Sequence, residues 1–466
     1  MIKFGTGGWR AEIGVDFQKS NVQLVAQGLA DRILSLGQND RPVIIGRDRR
    51  FLSEESAMWM AEVLAANGIK VWVMRRSVPT PLVMHTVLKR QLFYGVEITA
   101  SHNPSNYNGI KIIVEEGRDA PIEVTEDLEK RIAALDEILH CDVSAAFEAG
   151  NILYVENPFN TFLDDILSQM DADAIRKRGP RILFDSMHGS STYPFNVLFY
   201  TTRCTVDQIN GNKDAFFGGS MPAPTQSTLQ ALCEQVVKGG YDLGMGIDGD
   251  GDRLGVVDSN GEYISANDIL VLLYYYLHEY KGWKGPVVRN YSTTHLLDRV
   301  AKGLGEECYE VPIGFKYISA KIDEVDAVLG GESSGGLTVR GHIHGKDSIY
   351  ASALFVEMVC KTGKTPTQLI TELKDKYGRS EFVEFNAPLL PGQKEQLAAL
   401  ETLPVFSREP VKVNRTDGIK LYFDDDSFVI CRASGTEPIL RIYAEAPSRE
   451  QAEGYIQTWV DYLKTL

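Results

Sequence analysis

The 466-residue chain has no uninterrupted apolar run long enough to cross a bilayer, and its opening, MIKFGTGGWRAEIG, lacks the basic-then-apolar pattern of a signal peptide. A cytoplasmic protein with no membrane partner is the expectation. It has only six cysteines, at 141, 204, 233, 308, 360 and 431, with no close C-x-x-C pair, which argues against a zinc site or a disulfide framework. Basic charge is short as well. With 48 lysines and arginines against 63 aspartates and glutamates, the formal charge is −15, whereas nonspecific nucleic-acid binding needs a basic surface. No nucleic-acid partner is expected. A small anionic ligand is still compatible, because a pocket can gather a few cations or a metal ion inside an acidic protein.

What is present is ordinary for packed domains: 44% hydrophobic and 24% charged residues. One core cannot serve this length, and at about 150 residues per domain roughly three or four domains are expected. Near the start, Val22, Val25, Ala26, Leu29, Ile33 and Leu36 follow helical spacing, and Pro42 precedes the short run Val43-Ile44-Ile45. Ser53 reads as the N-cap of a second helix and Gly68 as its stop. The runs Ile69 to Met74 and Leu92 to Ile98 complete a strand-helix-strand-helix-strand order, which predicts an α/β domain with a mostly parallel sheet.

That layout recurs. Short first strands stand at VII (from Val43), ILF (from Ile182) and VV (from Val287). Proline-marked loops follow at VPTP, MPAPT and VPIGF, and then glycine-containing strands run into the polar loops TASHNP (from Thr99), DGDGDR (from Asp248) and GESSGG (from Gly331). In open α/β sheets ligands bind beyond the carboxyl ends of strands, where each polar loop falls. After about residue 372 the pattern changes to short strands at Val411 to Val413, Ile419 to Phe423, Phe428 to Cys431 and Leu440 to Ala444. Asp417-Gly418 supports a hairpin, and a last helix starts at Ser448 with Gln451 as a capping box. The expected division is 1–152, 153–256 and 257–373 for three related α/β domains, and 374–466 for a C-terminal α+β domain.

Each loop has its own chemistry. Asp248, Asp250 and Asp252 alternate with glycines, so three carboxylates can turn to one side and offer the hard oxygen ligands that Mg2+ prefers. An EF-hand fails because its turn glycine would fall at Arg253 and its bidentate acid at Ser259. Ser101 is a potential nucleophile if a base, metal or cation assists it. His102 is either that base or a loop-holding group, and Lys111 projects beyond a Tyr107-Asn108-Gly109 turn. Glu332 and Ser334 suit a grip on adjacent sugar hydroxyls, while Arg432, Ser434, Gly435 and Thr436 in RASGTEP suit a phosphate cradle. A plain turn or surface charge competes with each of these readings taken singly.

Taken together, TASHNP, DGDGDR, GESSGG and RASGTEP, with FGTGGWR at the start, closely resemble the α-D-phosphohexomutase family over essentially the whole chain. The resemblance implies three related α/β domains and a fourth α+β domain around a central cleft. Ser101 would be a phosphoserine that donates to a hexose monophosphate, and glucose 1,6-bisphosphate would be intermediate and activator. Asp248, Asp250 and Asp252 would bind Mg2+ with the phosphoserine. Arg10, Lys111 and Arg253 would lie beside the transferring group, with Lys111 similar to the family's candidate general base. Glu332 and Ser334 would read the sugar, Lys316 and Asp347 would match further site positions, and Arg432, Ser434, Gly435 and Thr436 would hold the distal phosphate.

Some family members that handle mannose phosphates carry a histidine where Gly336 stands, KDS (Lys346 to Ser348) replaces a more usual KDG, and the tryptophan of GGWR leans toward phosphoglucomutase. Glucose phosphate is therefore favoured, with mannose phosphate as second substrate and phosphoglucosamine mutase as runner-up. From other classes, an Mg-dependent phosphatase would not need GESSGG and RASGTEP, and a silent sugar-phosphate binder would have little reason to keep Ser101 and all three aspartates. The expected partners are small hexose phosphates, in a monomer or small homo-oligomer.

Overall fold

The run Val43-Ile44-Ile45 forms the start of the strand Val43–Arg47, every residue of which is buried. Strands covered on both faces read as continuous apolar runs, as this one does. The computed structural model describes residues 2–5, 7–434 and 439–465. They divide into two units, Met1–Ile269 with Ser334–Thr367, and Leu270–Ser333 with Gln368–Leu466.

In the first unit, one sheet runs in the order Trp9–Glu12, Tyr107–Val114, Tyr94–Ile98, Val43–Arg47, Val71–Val73, Ile152–Tyr154, with Arg118–Asp119 paired to Tyr107–Val114. Its centre is parallel and its first edge antiparallel. A second sheet runs Tyr263–Ile264, Leu254–Asp258, Leu243–Ile247, Arg181–Asp185, Thr205–Ile209. In both, the strand entering a polar loop (Tyr94–Ile98 or Leu243–Ile247) lies parallel to the first strand of its repeat.

In the second unit, Cys308–Val311, Val287–Asn290 and Leu329–Gly331 are parallel neighbours, so the third repeat has the same arrangement. The last sheet is antiparallel, in the order Glu381–Pro388, Ile439–Ala446, Phe428–Ala433, Ile419–Tyr422, Lys412–Asn414. The helix Arg449–Leu463 buries Ala452, Tyr455, Ile456, Trp459 and Leu463.

Three local expectations change. Leu52, at φ 63°, holds the cap position before the helix Ser53–Ala66, because the Ser53 hydroxyl donates to Asp48 Oδ1 at 2.7 Å instead. Tyr107-Asn108-Gly109 is not a turn: it begins the strand Tyr107–Val114, which places Lys111 opposite Glu97 in the sheet interior. The capping box is half made, since Ser448 Oγ accepts from Gln451 N at 3.3 Å while the Gln451 amide reaches Asp425 and Tyr455. All six cysteines are free, and among the described residues no helix is long and apolar enough to cross a membrane.

Candidate active site

Ser101 lies in the loop after the strand Tyr94–Ile98, fully buried, with φ 53° in the left-handed region where non-glycine residues are uncommon. Its Oγ donates to Asp248 Oδ2 at 3.2 Å, and its backbone N donates to Thr99 Oγ1 at 2.8 Å. Arg50 fixes the loop from beneath. It donates through Nη2 to the carbonyls of Ser101 and Asn103, both at 2.6 Å, and through Nη1 to those of Pro104 and Tyr107 at 2.8 and 3.0 Å. Arg50 is itself buried and ion-paired to Asp48 at 3.3 Å.

The three aspartates that follow the strand Leu243–Ile247 are buried, and one oxygen from each lies within 4.8 Å of the others. Lys111 Nζ bridges Asp250 Oδ2 at 2.7 Å and Asp252 Oδ2 at 2.8 Å, and Lys346 Nζ adds a contact to Asp252 Oδ2 at 2.9 Å. Thr80 Oγ1 donates to Asp250 Oδ2 at 2.7 Å. Asp248 Oδ1 accepts from the backbone N–H groups of Asp252 and Arg253 at 2.9 and 3.0 Å. That leaves Asp250 Oδ1 and Asp252 Oδ1 buried with no hydrogen-bond partner. A buried carboxylate oxygen without a donor is costly, and a divalent cation is the partner such hard donors suit. The residues fit Mg2+.

The charges sort the titrating groups. Burial raises the Asp248 carboxyl, and Asp250 and Asp252 raise it further. Burial opposes ionisation of Asp252 too, but Lys111, Lys346 and Arg253 hold it well below the usual carboxylate range. Burial works against the Lys111 ammonium, yet Asp250 and Asp252 more than offset this and keep it charged. His102 is pushed well down by burial and then by Arg253 and Arg10, so it is neutral, with Nδ1 at 3.5 Å from Ser101 Oγ, the outer limit of a hydrogen bond. Arg10 Nη1 donates to Asn103 Oδ1 at 2.7 Å, and Arg253 Nε stands 3.7 Å from Asp252 Oδ1.

Ser101, His102, Lys111, Arg10, Arg253 and the three aspartates are thus brought together in the first unit. Asp347 belongs to that unit with both carboxylate oxygens engaged: Oδ1 caps the helix Ser348–Thr362 through Ile349 N and Tyr350 N, and Oδ2 meets His342 Nε2 at 2.6 Å. Ser334 is exposed there. The remaining calls lie in the second unit. Glu332 Oε1 accepts from Asn290 Nδ2 at 3.0 Å, Lys316 sits over the Tyr317 ring, and Arg432 Nε donates to Asp417 Oδ1 at 3.1 Å. Ser434 N donates to the Ile439 carbonyl at 2.8 Å, while Gly435 and Thr436 lie outside the described residues. Sequence reasoning missed Arg50, Thr80 and Lys346 as parts of the site. The signal available for Arg50 was RDRR, a charged run that starts at the last residue of the strand Val43–Arg47 and continues beyond its carboxyl end.

Four family models match in chain order, all of phosphoglucomutase/phosphomannomutase: α/β/α domain I at 1–139, domain II at 160–261, domain III at 265–377 and the C-terminal domain at 386–461. A phosphoglucomutase/phosphomannomutase of Thermococcus kodakarensis is 28% identical over 99% of this chain and 98% of its own. A Methanopyrus kandleri protein described as a "probable phosphoglucosamine mutase" is 30% identical over 99% and 97%. The crystal structure of a phosphomannomutase candidate from Thermus thermophilus superposes with a TM-score of 0.87 at 26% identity, covering 99% of both chains. Fold and site therefore define an enzyme of sugar-phosphate isomerisation. The chain belongs to the phosphohexomutase family, isomerases that act as intramolecular phosphotransferases.

Proposed function

We propose that this phosphohexomutase interconverts α-glucose 1-phosphate and glucose 6-phosphate through phosphorylated Ser101 and a glucose 1,6-bisphosphate intermediate, with mannose phosphates as second substrates. One observation carries the reading: the Ser101 hydroxyl points at Asp248 inside a buried carboxylate triad flanked by Lys111, Lys346 and Arg253. Phosphoryl transfer depends mostly on positioning and charge stabilisation, and this arrangement provides both.

Asp248, Asp250, Asp252 and an oxygen on Ser101 would hold Mg2+, which when bound neutralises charge on the phosphoryl oxygens. In the forward half, the bond from phosphorus to Ser101 Oγ breaks, one to a sugar hydroxyl oxygen forms, and the hydroxyl proton ends on Oγ. The bisphosphate turns, and its other phosphoryl group returns to Oγ as the proton moves the opposite way. His102, neutral and beside Oγ, is suited to relay that proton. Lys111, held charged and so not the proton-accepting base, stabilises the transferring group with Arg10 and Arg253. Glu332, Ser334 and Lys316 take the sugar hydroxyls, and Arg432, Ser434, Gly435 and Thr436 take the distal phosphate. Asp347, with its carboxylate already spoken for, acts by holding the segment that carries Lys346.

A phosphorus NMR time course with Mg2+, a trace of glucose 1,6-bisphosphate and the 1-phosphates of glucose, mannose and glucosamine tests this. The fastest growth of a 6-phosphate signal is expected with glucose. Fastest conversion of glucosamine 1-phosphate would favour the second reading, which the Methanopyrus relative supports, and release of inorganic phosphate would replace the mutase with a phosphatase.

A further inference from the structure

The aspartate loop is held through three consecutive carbonyls, each gripped by a different hydroxyl-bearing residue. The Gly249 carbonyl accepts from Ser190 N at 3.0 Å and Ser190 Oγ at 3.2 Å. The Asp250 carbonyl accepts from Thr80 N at 2.7 Å, while Thr80 Oγ1 reaches the carboxylate of the same aspartate. The Gly251 carbonyl accepts from Ser348 N at 3.3 Å and Ser348 Oγ at 2.6 Å. All three residues are buried. Thr80 and Ser348 are the first residues of the helices Thr80–Lys89 and Ser348–Thr362, and Ser190 lies two residues before the helix Thr192–Thr201. Residues at or just before three helix N-termini thus converge on the backbone that carries the three buried carboxylates.

A carbonyl oxygen has two lone pairs, and here the N–H of each gripping residue takes one. The Ser190 and Ser348 hydroxyls take the second, so the peptide planes are fixed in direction as well as in place. The loop cannot relax sideways either. Gly251 sits at φ 79°, where an added Cβ would lie 2.5 Å from both Pro79 Cβ and Ser191 Oγ. Successive peptide planes set where the side chains of Asp248, Asp250 and Asp252 emerge, and the Asp250 and Asp252 oxygens that accept no hydrogen bond have that backbone as their support.

We propose that Thr80, Ser190 and Ser348 are positioning residues that preorganise the aspartate loop for a divalent cation. Each acts through the backbone or carboxylate it holds, not as a ligand. The inference rests on the reading of the loop as the metal site. Outer-shell partners of this kind are typically worth about 10- to 100-fold in metal affinity or activity.

The test is Mn2+ binding to the full chain, followed by the electron paramagnetic resonance signal of the free ion, for wild type, Asp252→Asn, Ser348→Ala, Thr80→Val and Thr80→Ser. Wild type is expected to bind and Asp252→Asn to lose binding. Ser348→Ala and Thr80→Val should weaken Mn2+ by about 10- to 100-fold, with kcat lowered and KM for sugar phosphate unchanged. Thr80→Ser, which keeps the hydroxyl, should recover near-wild-type affinity. Thr80→Val is close in shape to threonine, so a loss confined to the hydroxyl is separable from a packing defect. Wild-type affinity in both Ser348→Ala and Thr80→Val would overturn the proposal alone, whereas a wild-type protein that bound no Mn2+ would overturn the metal reading with it.

Discussion

Gly336→Ala should slow the enzyme through a side chain ten positions away. A Cβ at Gly336 would collide with Lys346 Cδ and lie 2.9 Å from Cγ. The obstacle is a flexible lysine stem, so the backbone can stay while the lysine is redirected. Redirecting it removes the 2.9 Å contact between Lys346 Nζ and Asp252 Oδ2, a charge pair in which both residues are buried. A hydrogen bond to a charged group contributes about 1.5–3 kcal/mol, and at about 1.4 kcal/mol per tenfold its loss from the transition state lowers kcat/KM roughly 10- to 150-fold. A coupled assay reading glucose 6-phosphate would measure this, with a thermal melt to show that the fold survives. Lys346→Met supplies the comparison. If Gly336 acts only through Lys346, the double variant should be no worse than Lys346→Met, since residues sharing one contact are not additive. Wild-type kcat/KM in Gly336→Ala, or fully additive losses in the double variant, would refute the argument.

Ser101→Ala should lose turnover yet still bind glucose 1-phosphate by calorimetry; retained turnover would sink the phosphoserine mechanism. Lys111→Met removes the ammonium ion-paired to buried Asp250 and one of the cations around Asp252, so a destabilisation of about 3–5 kcal/mol is expected in urea, smaller when Mg2+ is added. Arg50→Met frees four carbonyls of the Ser101 loop and should sharply raise amide hydrogen exchange across residues 101–107. In the second unit, burial raises the Glu310 carboxyl but Arg289 and Lys420, both at 2.6 Å, outweigh it and hold it at about 2. Because that folded value is depressed, its stabilisation is present above an ordinary value of about 4.5 and is lost as pH falls from there to about 2, about 3 kcal/mol in all. Acid denaturation of Glu310→Gln should lack this component, and identical acid limbs in variant and wild type would refute it.

The loops at Ser101, Asp248, Glu332 and Arg432 were legible because each packs its chemistry into a contiguous motif bounded by glycine or proline. Lys346 was legible only as the residue before Asp347, because what assigns it is a contact with Asp252, far away along the chain. Arg50 reads as solvated charge in sequence, and only the fold turns it under the Ser101 loop. Glu97 is similar: YGVEI reads as a strand, but nothing in it says that the carboxyl is wholly buried, where burial followed by Asp48 and Asp250 pushes it well above the usual range. The strand Glu381–Pro388 was not read at all. It is an edge strand with mostly exposed or half-buried residues, so it shows no clean alternation. Leu36, read as the end of a helical stripe, falls at the C-cap and is exposed.

The repeated layout without repeated residues has a physical basis in the glycines of the loop-bearing strands. A Cβ at Gly95 would meet Val87 and Val83 of the helix Thr80–Lys89, one at Gly244 would meet Val236 and Leu232 of Gln230–Gly239, and one at Gly330 would meet Ile318 and Ile322 of Phe315–Val325. In each repeat a helix therefore presses branched side chains directly onto a strand that has given up its own. That contact fixes the height of helix against strand, and hence the point where the strand ends and its polar loop begins. It asks nothing of the loop itself. The three loops are free to diverge into a buried serine, a carboxylate triad and the Glu332 loop, while the apolar runs and glycines beneath them keep their spacing. Similar layout with dissimilar loop residues is then what selection on packing below and chemistry above would leave behind.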